Sequence, residues 1–98
     1  MVRIVQISAK MTVGQLIRNV DQLFKDPSEK TFTNFEVLCP DGSASCLHKS
    51  VAEVSELSSF EDCEIQINSD NIFETSQNFE QKTGLYVHLD CLENSLFI

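Results

Sequence analysis

The sequence predicts an α+β fold: an antiparallel sheet of four strands, or five, with helices on one face and the element order β-α-β-β-α-β-α. Three observations carry this. Short stretches alternate apolar and polar residues at the period of two that a half-buried strand requires. Between them, one segment repeats apolar residues at helical spacing. The 98 residues hold 42% hydrophobic side chains but only three Gly and two Pro, so one domain with its own core is expected and most of the chain can sit in regular elements.

The first strand is VRIVQIS, residues 2–8, with apolar residues at Val2, Ile4, Val5 and Ile7. TVGQ follows, in which Thr12 can cap a helix and Gln15 can reach back. Behind it Val13, Leu16, Ile17, Val20, Leu23 and Phe24 form one apolar face, predicting a helix over 13–25 that Pro27 stops. TFTNFEVLC, residues 31–39, is rich in β-branched and aromatic residues and reads as a strand. CPDGS is a turn and SASCL, residues 43–47, a short return strand, so 31–47 reads as a hairpin.

SVAEVSEL comes next. Ser50 begins a capping box with Glu53, and Val51, Val54 and Leu57 make an apolar stripe spaced by three. CEIQIN, residues 63–68, is a fourth strand with Ile65 and Ile67 on one face. Ser69, Asp70 or Asn71 can cap a third helix carrying Ile72, Phe73, Ser76 and Phe79, closed by Gly84 in a left-handed conformation. LYVHLDCLENSLFI, residues 85–98, suits a fifth strand or a helical extension.

The composition narrows the function classes. Fifteen acidic and seven basic residues give a net charge of −8. That argues against nucleic acid, which is bound by neutralising phosphates, and against an anionic membrane surface. A protein partner fits better. The N-terminal MVRIVQIS lacks the apolar centre of a secretory leader and no apolar run is long enough for a membrane span, so a cytoplasmic protein is expected. Cys39, Cys46, Cys63 and Cys91 show neither CxxC nor zinc-ligand spacing and read as reduced, buried small hydrophobes. No cofactor or metal is called for.

The stretch LHKSVAEVSELSSFEDCEIQIN, residues 47–68, resembles the middle of HPr, the phosphocarrier protein of the bacterial sugar phosphotransferase system. The family pattern there is an apolar residue, any residue, Lys-Ser, apolar, two of any kind, Val, two of any kind, Leu, and then an acidic residue with two alternating apolar strand positions. Leu47, Lys49, Ser50, Val51, Val54, Leu57, Glu64, Ile65 and Ile67 supply it without a gap from Ser50 onward. The resemblance implies the HPr fold, an open-faced β-sandwich, over a single domain spanning 1–98. It also implies that Ser50 matches the family's regulatory serine, phosphorylated by a dedicated kinase in one branch.

The family's active-site motif, Gly-apolar-His-Ala-Arg-Pro at the start of the first helix, is missing. The chain reads AKMTVGQLIRN there, and no histidine precedes His48. The expectation is therefore a non-catalytic, HPr-like regulatory or protein-binding module without phosphohistidine transfer, resembling family members that lack the histidine and keep the serine. Ser50 is the candidate phosphosite, and Leu47, Lys49, Val51 and Val54 are the candidate partner contacts.

Plainer readings stand beside these. Ser50 suffices as a helix cap. The acidic residues Glu53, Glu56, Glu61, Asp62 and Glu64 suit a solvated face. The alternative to the HPr-like module is an unrelated small α+β interaction or oligomerisation domain that uses its apolar C-terminal segment. A third reading, a cysteine-dependent enzyme, would pair Cys46 with His48.

Overall fold

Apolar residues lie on both parities of the first strand, so its inward face is decided by its partner. The structure is a computed structural model that describes residues 2–24, 32–39, 47–55, 57, 59–68 and 70–91, with the backbone alone at 32–34, 90 and 91. In it, β1 (Val2–Ile7) pairs antiparallel with β3 (Cys63–Asn68), and Val5 lies opposite Ile65. Val5, Ile7, Ile65 and Ile67 are buried, while Val2 and Ile4 face outward at 52% and 50% exposure. β3 has only one apolar parity, and that parity fixes which side of β1 turns inward.

Helix α1 (Val13–Leu23) forms much as its periodicity demands. Thr12 Oγ1 accepts the Gln15 N–H at 3.1 Å. Val13, Leu16 and Val20 are buried, and the Phe24 cap residue turns its ring into the core at 1% exposure. Phe24 closes the helix by donating its N–H to the Asp21 carbonyl, so the helix ends before Pro27, which lies outside the described residues.

Strand β2 (Phe32–Leu38) pairs antiparallel with β4 (Tyr86–Cys91), with Val37 opposite Val87 and Phe35 opposite Leu89. Here the predicted order is corrected. The observed order is β1-α1-β2-α2-β3-α3-β4, and among the described residues the strands form two separate two-stranded ribbons, β1-β3 and β2-β4. They do not make one open-faced sheet of four or five strands. The strand reading of LYVHLDC holds for 86–91, but as the partner of β2. The proposed return strand loses Leu47, which sits in a turn, and 43–46 lie outside the described residues. The α+β class stands.

Helix α3 (Ile72–Thr83) is capped by Asn71, whose side chain accepts the Glu74 N–H at 3.0 Å. Gly84 ends it at φ 70°, a conformation that favours glycine, with its N–H on the Glu80 carbonyl. The inward stripe is Thr75, Phe79 and Thr83, not the Phe73 and Ser76 of the predicted face; Phe73 is 72% exposed.

The two long helices join the ribbons. α1 packs on β1 and β2, and α3 packs on β3 and β4. One cluster of buried residues, from Val5 to Leu85, draws on all of them. Within it Phe35 of β2 meets Phe79 of α3 with ring centroids 5.8 Å apart and planes tilted by 55°, a tilted aromatic pair worth about 0.5–1.5 kcal/mol beyond the area it buries.

Candidate functional site

Ser50 stands at the entrance of α2 (Val51–Val54), which is a single turn. Its Oγ accepts the Glu53 N–H at 3.2 Å and donates to Glu53 Oε1 at 3.2 Å. The expected cap is therefore present, closed by both side chains. The side chain of Ser50 is half-buried.

The neighbourhood of Ser50 is set by α1. The segment leading into α2 runs against the segment leading into α1, and Thr12 and Ser50 form an isolated antiparallel bridge. Val51 donates its N–H to the Met11 carbonyl at 2.8 Å and Ala52 donates to Ala9 at 3.2 Å. In the other direction Val13 donates to the Lys49 carbonyl at 3.0 Å and Gly14 to the Leu47 carbonyl at 3.1 Å. Asp62 Oδ1 accepts the Ala9 N–H at 2.8 Å and ties the approach to β3 into the same seam.

This seam occupies the first turn of α1. The N–H groups of Val13, Gly14 and Gln15 are bonded to the Lys49 carbonyl, the Leu47 carbonyl and Thr12 Oγ1. Donors at a helix N-terminus are what an anion would use. Here the chain's own oxygens take them.

The candidate partner contacts divide. Leu47 is 47% exposed and Lys49 is exposed beside it. Val51 is fully buried and Val54 is 9% exposed, so both belong to the core and present nothing to a partner. Leu57 does not continue their stripe. The helix stops at Val54, Ser55 is extended at ψ 139°, and Leu57 is 40% exposed. Glu56 lies outside the described residues.

His48 is exposed in the turn before Ser50. Its suggested partner Cys46 lies outside the described residues. Glu53, Glu61, Asp62 and Glu64 are exposed, and three of them serve structural bonds, Glu53 to Ser50, Asp62 to Ala9 and Glu64 to Gln6 Nε2 at 2.6 Å. Among the described residues no group of three His, Cys, Asp or Glu side chains could hold a metal ion, and no helix is long and apolar enough to cross a membrane.

The cysteines depart from the expectation of reduced thiols throughout. Cys39, 7% exposed at the end of β2, is disulfide-bonded. Cys63 is a free, half-buried thiol at the edge of an open cleft of about 580 Å³ that also takes in Ile4, Asn78 and Lys82. Burial pushes its pKa up; nearby Lys82 opposes the shift and Asp62 adds to it. Such a thiol is a poor nucleophile at neutral pH.

Sequence reading missed two buried hydroxyls. Thr75 Oγ1 accepts the Asn68 N–H at 2.9 Å and faces the Asn68 and Asn71 carbonyls. Thr83 Oγ1 donates to the Phe79 carbonyl and accepts the Leu85 N–H at 3.1 Å. Thr75 ties α3 to the end of β3, and Thr83 ties its last turn to Leu85, the residue before β4. The only signal for them was their spacing of four from Phe79.

Compared with known proteins, the chain matches no family model, no curated protein and no solved structure.

Proposed function

We propose that the chain is a non-catalytic, HPr-like protein-binding module without phosphohistidine transfer, which presents Leu47, Lys49 and Ser50 to a protein partner. The observation that supports this reading best is the seam. It bonds the Leu47 and Lys49 carbonyls to the start of α1, and it fills α1 donors that an anion would use. The partner surface is narrower than the resemblance implies, since Val51 and Val54 are committed to the core.

Ser50 is the regulatory point in this reading. A phosphate on its Oγ removes the proton now shared with Glu53 and adds up to two negative charges beside that carboxylate. The cap then opens, and the carbonyls of Leu47 and Lys49 are the groups whose bonds to α1 change next.

The test is an intact-mass assay. One sample receives ATP with HPr kinase, the other phosphoenolpyruvate with enzyme I. A phosphate added by the kinase alone and mapped to Ser50 is the expected result. No phosphate in either sample leaves Ser50 as a cap and sinks the regulatory reading.

A second reading is favoured by β4. Leu85 is fully buried and 86–91 pair along β2, so the C-terminal part of the fold is structural. That is what an unrelated α+β interaction or oligomerisation domain would require. Its distinguishing result is a concentration-dependent dimer in solution, lost when residues 92–98 are removed.

A further inference from the structure

The two edges of the β1-β3 ribbon differ. Thr75 Oγ1 meets both backbone groups of Asn68, and Lys82 Nζ donates to the Glu64 carbonyl at 3.0 Å. Glu64 and Asn68 therefore turn their backbone groups toward α3. These groups alternate in direction along a strand, so Cys63, Ile65 and Ile67 turn theirs to β1, where Ile7, Val5 and Arg3 return the bonds. Val2, Ile4 and Gln6 are left pointing away from the ribbon. Among the described residues no hydrogen bond reaches the backbone N–H or carbonyl of any of the three on that side. The β3 edge is thus closed by α3, with a lysine among the closing groups, whereas the β1 edge is open. Beside it runs a cleft of about 400 Å³ lined by Ile4, Val5, Gln6, Asn19, Gln22 and Leu23, which leaves room for another strand.

We propose that β1 is a strand-addition edge whose occupant is β1 of a second copy, paired antiparallel about a two-fold axis. Charge selects that occupant. β1 holds one charged residue, Arg3, and the side chains lining the cleft are neutral. Residues 1–20 carry Arg3, Lys10 and Arg18 and no carboxylate, so all fifteen acidic residues lie beyond them. Two copies of net charge −8 repel over most of their surfaces and least where these stretches meet.

The strand is also complementary to itself. With the axis at Ile4, Ile4 meets its counterpart, Val2 meets Gln6 and Arg3 meets Val5, so residues that share a face stay together and no like charges stand opposite. Ile4 exchanges both backbone bonds with its counterpart, and Val2 does so with Gln6. The half-exposed Ile4 side chains cover each other at the axis. One sheet then runs β3-β1-β1-β3 through both copies. This surface lies apart from Ser50 and acts whether or not that residue is modified.

Light scattering on the intact chain, from micromolar to millimolar concentration, is the first test. A reversible dimer is expected, with the denatured mass still that of one chain. Across the same series amide exchange at Ile4 and Gln6 is expected to slow by roughly tenfold or more, while Val5, already bonded to β3, keeps its rate. Ile4→Pro removes an outward N–H and none of the bonds to β3, and is expected to fold and stay monomeric. Ile4→Lys keeps the backbone but sets two cations against each other at the axis. It is expected to stay monomeric too, and it decides the matter if the proline variant does not fold. A monomer at every concentration overturns the proposal. So does a covalent dimer, a dimer that survives Ile4→Lys, or one that leaves exchange at Ile4 and Gln6 unchanged, which is what association through the C-terminal segment would give.

Discussion

The Leu47 carbonyl oxygen accepts the Gly14 N–H at 3.1 Å, and a Cβ placed on Gly14 would sit 3.2 Å from that same oxygen. The glycine is there for the approach of a backbone. Its φ is not in the left-handed region, so conformational freedom is not the reason.

Gly14→Ala follows from this contact. In an exposed helix, alanine in place of glycine gains about 1 kcal/mol. Here the new methyl group presses on a backbone oxygen that must shift by a few tenths of an ångström. The expected outcome in urea unfolding is no gain, with faster amide exchange at residue 14. A full 1 kcal/mol gain with unchanged exchange would show that the seam is slack.

Ser50 can be separated into cap and switch. Ser50→Ala removes the acceptor for Glu53 N–H and is expected to cost about 1 kcal/mol. Ser50→Asp keeps an acceptor there but faces the Glu53 carboxylate, so its stability should fall between the two. Chemical denaturation of the three proteins checks the order.

Thr83 is the more severe site. Thr83→Val keeps the shape but leaves the buried Leu85 N–H without its acceptor, a loss of about 1–3 kcal/mol. Phe79→Ala, which empties the ring site beside Phe35, is expected to cost about 3–5 kcal/mol. Both should lower the thermal midpoint, and Phe79→Ala should lower it more.

Cys63 gives a pH dependence. Its folded pKa lies above the ordinary value of 9.0, chiefly through burial. The neutral thiol is thus favoured by folding, so its contribution is full below pH 9 and falls as pH rises through the folded value. Iodoacetamide should label native Cys63 more slowly than the unfolded chain at pH 8, and the gap should narrow above pH 9. Equal rates at pH 8 would contradict the shift.

Local structure is legible in the sequence. Thr12 and Gly84 act as the caps expected of them, Asn71 is the one of the three candidates Ser69, Asp70 and Asn71 that caps α3, and β1, α1, β3 and α3 lie close to their predicted ranges, because caps and periodicity are short-range properties. What stayed hidden was which strand meets which. β2 has apolar residues enough to pair with a return strand or with β4, and nothing in either stretch carries the choice. The Val51, Val54, Leu57 stripe misled for a related reason: spacing alone does not say that the helix stops after one turn. At the candidate site, Ser50 and its partner Glu53 were legible as a capping box. The seam to Met11, Val13 and Gly14 was not, since it joins backbone groups that any residue provides.

The ribbon registers also govern how the chain can fold. Val2 meets Asn68, and Phe32 meets Cys91, so each ribbon closes across about half of the sequence or more. Neither can begin as a tight hairpin. During synthesis β1 waits for β3, and β2 waits for β4, while α1 and α3 supply the local order open to the emerging chain. Such non-local pairing folds slowly for its size, and the apolar strands left waiting are the surfaces a chaperone would meet first.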